Sequence, residues 1–229
     1  MNYFIAGTDT GVGKTTVASG LLLAFAQRGH RAAGMKPVAA GYSADRLTND
    51  DAELLRICSV AGLRYQDVNP YLLKAPTSPH IAARLEHQTI EWPPIADAFA
   101  KIRAAAEVIL VEGVGGWYVP LSPELMSADI PKRLDLPTIL VAGIRLGAIN
   151  HTLLTAQAIR ADGCYCCGWI ANIVDPHYGY ARETIDTLVT HLAAPCLAEV
   201  PWIANPTPQA VAHALASVPS QLERDRYTN

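Results

Sequence analysis

The sequence predicts an α/β fold: one domain built on a mostly parallel central sheet with helices on both faces. Strand-like apolar runs recur at residues 3–6, 31–36, 107–112, 137–143, 167–174 and 196–200, with helical stretches between most of them. That alternation is the pattern of βα units wound into a parallel sheet. The chain has 229 residues, half of them hydrophobic, which suits one large core better than two. The first apolar run also drives straight into a glycine-rich loop and an alanine- and leucine-rich helix.

Tyr3-Phe4-Ile5-Ala6 is the first strand, and residues 14–28 are the first helix. Between them stands Gly7-Thr8-Asp9-Thr10-Gly11-Val12-Gly13-Lys14-Thr15-Thr16. Backbone N–H groups from Gly11 and Val12 through Gly13 to Thr16 can cradle phosphate oxygens at the positive end of the helix. Lys14 then neutralises terminal phosphates and Thr15 ligates magnesium. The phosphate-loop pattern G-x-x-x-x-G-K-[ST] would start at position 8, where this chain has Thr8 after Gly7. The placement still makes a nucleotide the first ligand to expect, on a P-loop NTPase-like fold.

The second strand ends in Met35-Lys36-Pro37. A lysine closing an apolar strand must snorkel out or face a site, where it could stabilise charge on a transferring phosphoryl group. A helix over 51–61 follows Asn49-Asp50, and by spacing alone Asp51 reads first as a cap of that helix, at a start where Asp and Asn also serve as first-turn acids. Pro76-Thr77-Ser78-Pro79-His80 precedes a helix over 79–86 and admits two readings: a Pro-punctuated turn with a helix cap, or a substrate loop. A further helix is expected over 93–106.

Val108-Ile109-Leu110-Val111-Glu112 is a buried-strand pattern ending in a carboxylate, the place for a second group beside magnesium. Gly113, Gly115 and Gly116, around Val114, allow close backbone approach to a ligand. The fourth strand ends at Gly143 and leads through Gly147 to Asn150 into a helix over 148–162. The fifth ends at Asn172 before a helix over 178–192, and the last runs into Pro201-Trp202-Ile203 before a helix over 207–216. Ligands of open parallel sheets gather beyond the carboxyl ends of the strands, so these ends are the candidate site. The domain is expected to span 1–216, with 217–229 a polar, flexible tail.

A net charge of −3 with no basic block argues against nucleic acid or an anionic membrane surface as partner. No apolar run reaches the ~18 residues a bilayer needs, and no leader pattern opens the chain, so a cytoplasmic location is expected. The five cysteines are odd in number, which disfavours disulfides. Cys164-Tyr165-Cys166-Cys167 lacks a second paired cluster for zinc and reads as small semi-buried thiols.

Several segments together resemble the dethiobiotin synthetase family. They are the phosphate loop, Lys36-Pro37-Val38, Asn69-Pro70-Tyr71, Pro76 to His80, Val111-Glu112-Gly113, Gly115-Gly116-Trp117, Leu146 to His151 and Pro201-Trp202. The resemblance implies an ATP-dependent ring closure, in biotin synthesis, that joins 7,8-diaminononanoate and carbon dioxide and releases ADP and phosphate. It implies that Thr15, Asp51 and Glu112 hold Mg2+, which replaces the cap reading of Asp51. It also implies that Lys36 and Lys14 act at the reacting groups and that Gly11 to Thr16 and Gly113 to Gly115 contact ATP. Asn172 would meet the adenine, with Pro201 to Ile203 lining the base pocket. Thr10 and Ala40 would lie against the diamine. In the homodimer expected for such a protein, Gly147 and Asn150 of one subunit would help hold the substrate of the other.

The chain departs from the family twice. Many members carry a serine or threonine near position 40, where this chain has Ala39-Ala40, so a side-chain hydroxyl is missing there. Some carry a glutamate at position 11, and Gly11 removes that charge while leaving Lys14 and Thr15. The rival from another class is a partition or positioning ATPase switch, whose loop carries a signature lysine where this chain has Asp9. A cobyrinate amidotransferase relative would need an appended glutaminase, for which 229 residues leave no room.

Overall fold

The computed structural model describes residues 1–42 and 47–225. β1 (Asn2–Gly7) feeds the phosphate loop and α1 (Lys14–Gln27), followed by β2 (Ala32–Met35), β3 (Val38–Ala40), α2 (Asp50–Ile57) and α3 (Tyr65–Val68). Next come β4 (Tyr71–Leu73), α4 (Pro79–Leu85), α5 (Trp92–Ala105), β5 (Val108–Glu112), β6 (Pro120–Ser122), β7 (Leu125–Met126) and α6 (Asp129–Leu134). The chain continues through β8 (Thr138–Ile144), α7 (Ala148–Ala161), β9 (Cys166–Ile173), α8 (Ala181–His191), β10 (Cys196–Val200), α9 (Pro208–Ala214) and α10 (Val218–Asp225).

The six apolar runs form one sheet in the order β10-β9-β8-β1-β5-β2, with every paired neighbour parallel. β1 sits between β5 and β8, so the chain winds outward from it in both directions. A crevice opens where the winding reverses, above the carboxyl ends of β1, β5 and β8. Register carries this to residues: Ile5 lies beside Glu112, and Gly7 beside Val141. Side chains alternate between two cores, as strand geometry requires. Tyr3 and Ile5 pack with α1, α9 and α10, whereas Phe4 and Ala6 pack with α5, α7 and α8. Both faces are covered, which is why the strands read as unbroken apolar runs.

Smaller pieces escaped the sequence reading. β3 and β4 pair in parallel as a separate two-stranded sheet, and β6 with β7 forms a short antiparallel pair. Each spans two or three residues, too few for a periodicity to register.

The expected flexible tail is corrected. Residues 218–225 form α10, with Val218 and Leu222 fully buried against the β1 and α1 side of the sheet. Glu223 accepts from Arg28 at 2.9 Å and meets His30 Nε2 at 2.9 Å, while Gln221 donates to the Leu197 carbonyl at 3.0 Å. Two apolar residues four apart were diluted by polar neighbours in composition but share one helix face. Residues 226–229 of the expected tail lie outside the described residues. Leu222→Ala should therefore cost about 2–5 kcal/mol of stability, as for a buried leucine. An unchanged thermal midpoint would show that α10 contributes nothing. Among the described residues no helix is long and apolar enough to cross a membrane.

Candidate active site

The phosphate loop is shaped by two left-handed glycines, Gly11 at φ +75° and Gly13 at φ +85°, the second standing at the start of α1. Asn172, at the end of β9, donates its amide to the Val12 carbonyl at 2.9 Å and so ties the loop to the sheet. The first N–H groups of α1 have no partner within the helix and face the loop's concavity, ready for anionic oxygens. Lys14 curls back under the loop and donates to the Asp9 carbonyl at 2.9 Å and the Gly115 carbonyl at 2.6 Å. Burial, with Lys36 nearby, lowers its pKa to about 8 against the smaller opposing pull of Glu112, Asp51 and Asp9. A phosphate chain beside it would favour its charged form.

Glu112 closes β5 and is buried. Its Oε1 accepts from the Thr15 hydroxyl at 2.8 Å and from the Lys36 ammonium, which also reaches Asp51 Oδ2 at 3.1 Å. Lys36 is itself buried, and burial disfavours its charge, but Glu112 and Asp51 more than offset this and leave its pKa raised. The ammonium is held charged at the floor of the crevice. Its backbone is fixed as well: Lys36 N–H donates to the Val68 carbonyl at 2.8 Å, and Asn69 Nδ2 donates to the Lys36 carbonyl at 2.7 Å.

The residues present fit a magnesium ion. Glu112 Oε2 is buried without a hydrogen-bond partner, an unusual state for a carboxylate oxygen. With the Thr15 hydroxyl and the half-exposed Asp51 carboxylate, it makes a hard oxygen set. Among the described residues no three His, Cys, Asp or Glu side chains cluster as metal ligands. Magnesium at phosphate sites takes one or two carboxylates and completes its shell with phosphate and water, so a richer cluster is not needed.

The walls enclose a cavity of about 820 Å³. It is lined by Thr10, Gly11, Gly13, Lys14, Thr15, Thr16, Lys36, Ala40, Asp51, Glu112, Val114 and Gly115 among the residues singled out from sequence. A side cavity of about 230 Å³ opens from the same loop residues and is lined by Asn172, Pro201, Trp202 and Ile203. Two compartments thus share the phosphate loop, an arrangement that suits a base on one side and a second reactant on the other. Val12 is buried behind the loop, and Gly113 N–H donates to the Ile5 carbonyl at 3.0 Å, so both shape the wall without lining either space. Gly147 and Asn150 line neither cavity; they stand exposed at the start of α7.

Asp51 does not cap α2. Asn49 does, accepting from the backbone N–H groups of Asp51 at 3.1 Å and Ala52 at 3.2 Å. This frees the Asp51 carboxylate for Lys36. Asn49 is the residue type favoured at that position, a signal the sequence already held. Asp9 and Asn49 also line the large cavity and were missed as site residues. None of the five cysteines forms a disulfide, and burial pushes Cys166 up to about 11, which makes it a poor metal ligand or nucleophile.

A parallel sheet with a phosphate cradle at its switch point, a loop lysine and a carboxylate on the neighbouring strand define a phosphate-loop nucleotide-binding protein. Solved structures share this fold. The cell division protein MinD of Aquifex aeolicus superposes with a TM-score of 0.60 at 14% identity, covering 97% of each chain. The septum site-determining protein MinD of Pyrococcus horikoshii, complexed with Mg-ADP, gives a TM-score of 0.55 at 16% identity over 100% of this chain and 98% of its own. At such identities the likeness is one of fold alone. At position 9, Asp9 pairs with Arg145 at 3.1 Å.

Sequence comparison goes further. A family model described as an AAA domain matches residues 1–210. The ATP-dependent dethiobiotin synthetase BioD of Xanthomonas euvesicatoria pv. vesicatoria is 47% identical over 215 residues, covering 93% of this chain and 96% of the relative. That of Pseudescherichia vulneris is 46% identical, covering 91% of this chain and 88% of the relative. The chain belongs to the dethiobiotin synthetase family.

Proposed function

We propose that this protein is the ATP-dependent cyclo-ligase that closes 7,8-diaminononanoate and carbon dioxide into dethiobiotin, releasing ADP and phosphate, in the cytoplasm. The observation that carries the reading is Lys36, a buried ammonium held between Glu112 and Asp51 in the same cavity as the phosphate-loop lysine. Family membership supplies the chemistry. One amine of the diamine adds to carbon dioxide and loses a proton to give a carbamate. A carbamate oxygen takes the terminal phosphoryl group of ATP, forming a mixed anhydride. The second amine then attacks the carbonyl, the C–O bond to phosphate breaks, and a cyclic urea remains.

The chain's residues position and neutralise charge. Gly11 to Thr16 hold the phosphates, Lys14 meets the terminal one, and Lys36 steadies the carbamate and phosphoryl oxygens in the dry floor of the crevice. Thr15, Asp51 and Glu112 would hold magnesium, which when bound neutralises phosphate charge. Asn172 and Pro201 to Ile203 receive the base, while Thr10 and Ala40 border the diamine. Gly147 and Asn150 of one subunit would reach the substrate carboxylate in the other across a homodimer, where the start of α7 suits an anion.

The decisive experiment follows ADP release with magnesium, ATP and bicarbonate, with and without the diamine, and detects dethiobiotin by mass spectrometry. Diamine-dependent ADP matched by dethiobiotin is expected. Hydrolysis indifferent to the diamine, without ring product, would move the protein to the ATPase-switch class. Asn150→Ala should raise the Kd for the diamine about tenfold or more, the worth of one hydrogen bond to a charged group, while ATP affinity holds. Mixing Asn150→Ala with Lys36→Ala subunits should restore activity at one site per mixed dimer, and no recovery would count against a shared site.

A further inference from the structure

Building on that reading, we infer that the Ser78 hydroxyl, oriented by His80, donates a hydrogen bond to an anionic carboxylate-type oxygen of the second substrate. Ser78 occupies the N-cap position of α4, where serine ordinarily spends its side chain on the backbone N–H two or three residues on. Here it makes no such bond. Its Oγ lies 3.1 Å from His80 Nδ1, and the same nitrogen lies 3.2 Å from the Pro120 carbonyl oxygen.

That geometry sets the direction of the hydroxyl. A carbonyl oxygen only accepts, so the contact with Pro120 puts the ring proton on Nδ1. Nδ1–H is then a donor toward Ser78 as well, and Ser78 Oγ accepts from it. The serine's own proton has no role in that pair and is left for another acceptor. Ser78 lines the 820 Å³ cavity, so the available acceptor is one bound there.

The position of Ser78 selects the ligand. The side cavity with Asn172 and Trp202 shares only Gly11, Gly13 and Thr16 with the large one, whereas Ser78 lines the large cavity with Ala39, Ala40 and Thr77. This is the end of the cavity left for the second reactant. Position 40 offers no hydroxyl, and among the described residues outside the phosphate loop only Thr77 and Ser78 bring one to this wall. Thr77 is exposed and Ser78 is partly buried with a fixed partner, so Ser78 is the better organised donor. A hydroxyl donates most strongly to a charged acceptor, and the charged acceptors the second substrate brings are the oxygens of the carbamate and of the chain-end carboxylate.

Ser78→Ala should raise the KM for 7,8-diaminononanoate by about tenfold to a hundredfold, the range for a lost hydrogen bond to a charged group, with the Kd for ATP unchanged. Ser78→Thr should recover most of the loss. His80→Ala should mimic Ser78→Ala without adding to it in the double variant, since His80 acts through Ser78. The same measurements with 2,3-diaminooctane, which lacks the chain-end carboxylate, separate the sources. A penalty that persists assigns the bond to the carbamate, and one that vanishes assigns it to the carboxylate. Ser78→Ala with normal KM and kcat on an active wild-type enzyme overturns this inference alone. A wild-type protein that makes no dethiobiotin fails the proposed function instead. A His80→Ala effect that adds fully to that of Ser78→Ala overturns the positioning role.

Discussion

Lys36→Ala is expected to lower dethiobiotin formation by at least roughly 10²- to 10³-fold while leaving ATP affinity nearly unchanged, because the ammonium serves the reacting group and not the bound nucleotide. The two lysines divide the cavity between them. Lys14 hangs from the loop on the Asp9 and Gly115 carbonyls, whereas Lys36 comes from the end of β2 and rests on two carboxylates. A second consequence separates electrostatics from chemistry. Without Lys36, Glu112 is a buried carboxylate short of its cation, a defect worth about 3–5 kcal/mol when one partner of a buried pair is removed. The variant should melt early without ligand, and magnesium with ATP should raise its melting point about as much as the wild type's, since its ATP affinity is nearly unchanged. Isothermal titration with ATP beside single-turnover product formation tests both halves. Normal turnover would remove Lys36 from the mechanism, and lost ATP affinity would make it part of the nucleotide site.

Gly13→Ala is expected to produce the opposite pattern, with nucleotide affinity collapsing before any chemistry can be measured. An alanine at φ +85° carries roughly 1–3 kcal/mol of backbone strain. Its Cβ would stand 2.1 Å from Asn172 Nδ2, so Asn172 would have to give up the Val12 carbonyl. The free loop relieves both by leaving the phosphate-binding shape, and ATP must then restore that shape on binding. Affinity falls by the fraction of molecules still competent, at least about tenfold and more once the tether is lost. Gly11→Ala is the control: its φ is +75°, but an added Cβ has nothing within 4 Å. It should show the strain alone. Equal losses at the two positions would show that the Asn172 tether is irrelevant to the loop.

The site was legible where its chemistry is local in sequence. The loop from Gly7 to Thr16 announces itself because cradling phosphate needs glycines, a lysine and a hydroxyl within one turn of chain. Glu112 and Lys36 stood out because a charged residue closing an apolar strand is expensive unless something meets it. Asp51 was harder, since an acid at the start of a helix reads as its cap, and only the structure shows Asn49 taking that place. α10 was hidden for a similar reason: Val218 and Leu222 gain meaning only from the surface they bury.

The sequence by itself determined the six parallel strands, the phosphate loop between the first strand and helix, and the residue types of the site. All of these follow from hydrophobic period and local backbone chemistry. The tertiary structure decided which of them meet. Thr15 reaches Glu112 across 97 positions and Lys36 reaches it across 76, because β1, β2 and β5 are neighbours in the sheet though far apart along the chain. It also decided that Ser78 turns to His80 and the cavity instead of capping its helix. Residue types and periods are written locally, while strand order and side-chain direction depend on packing between distant segments, which local preference does not encode.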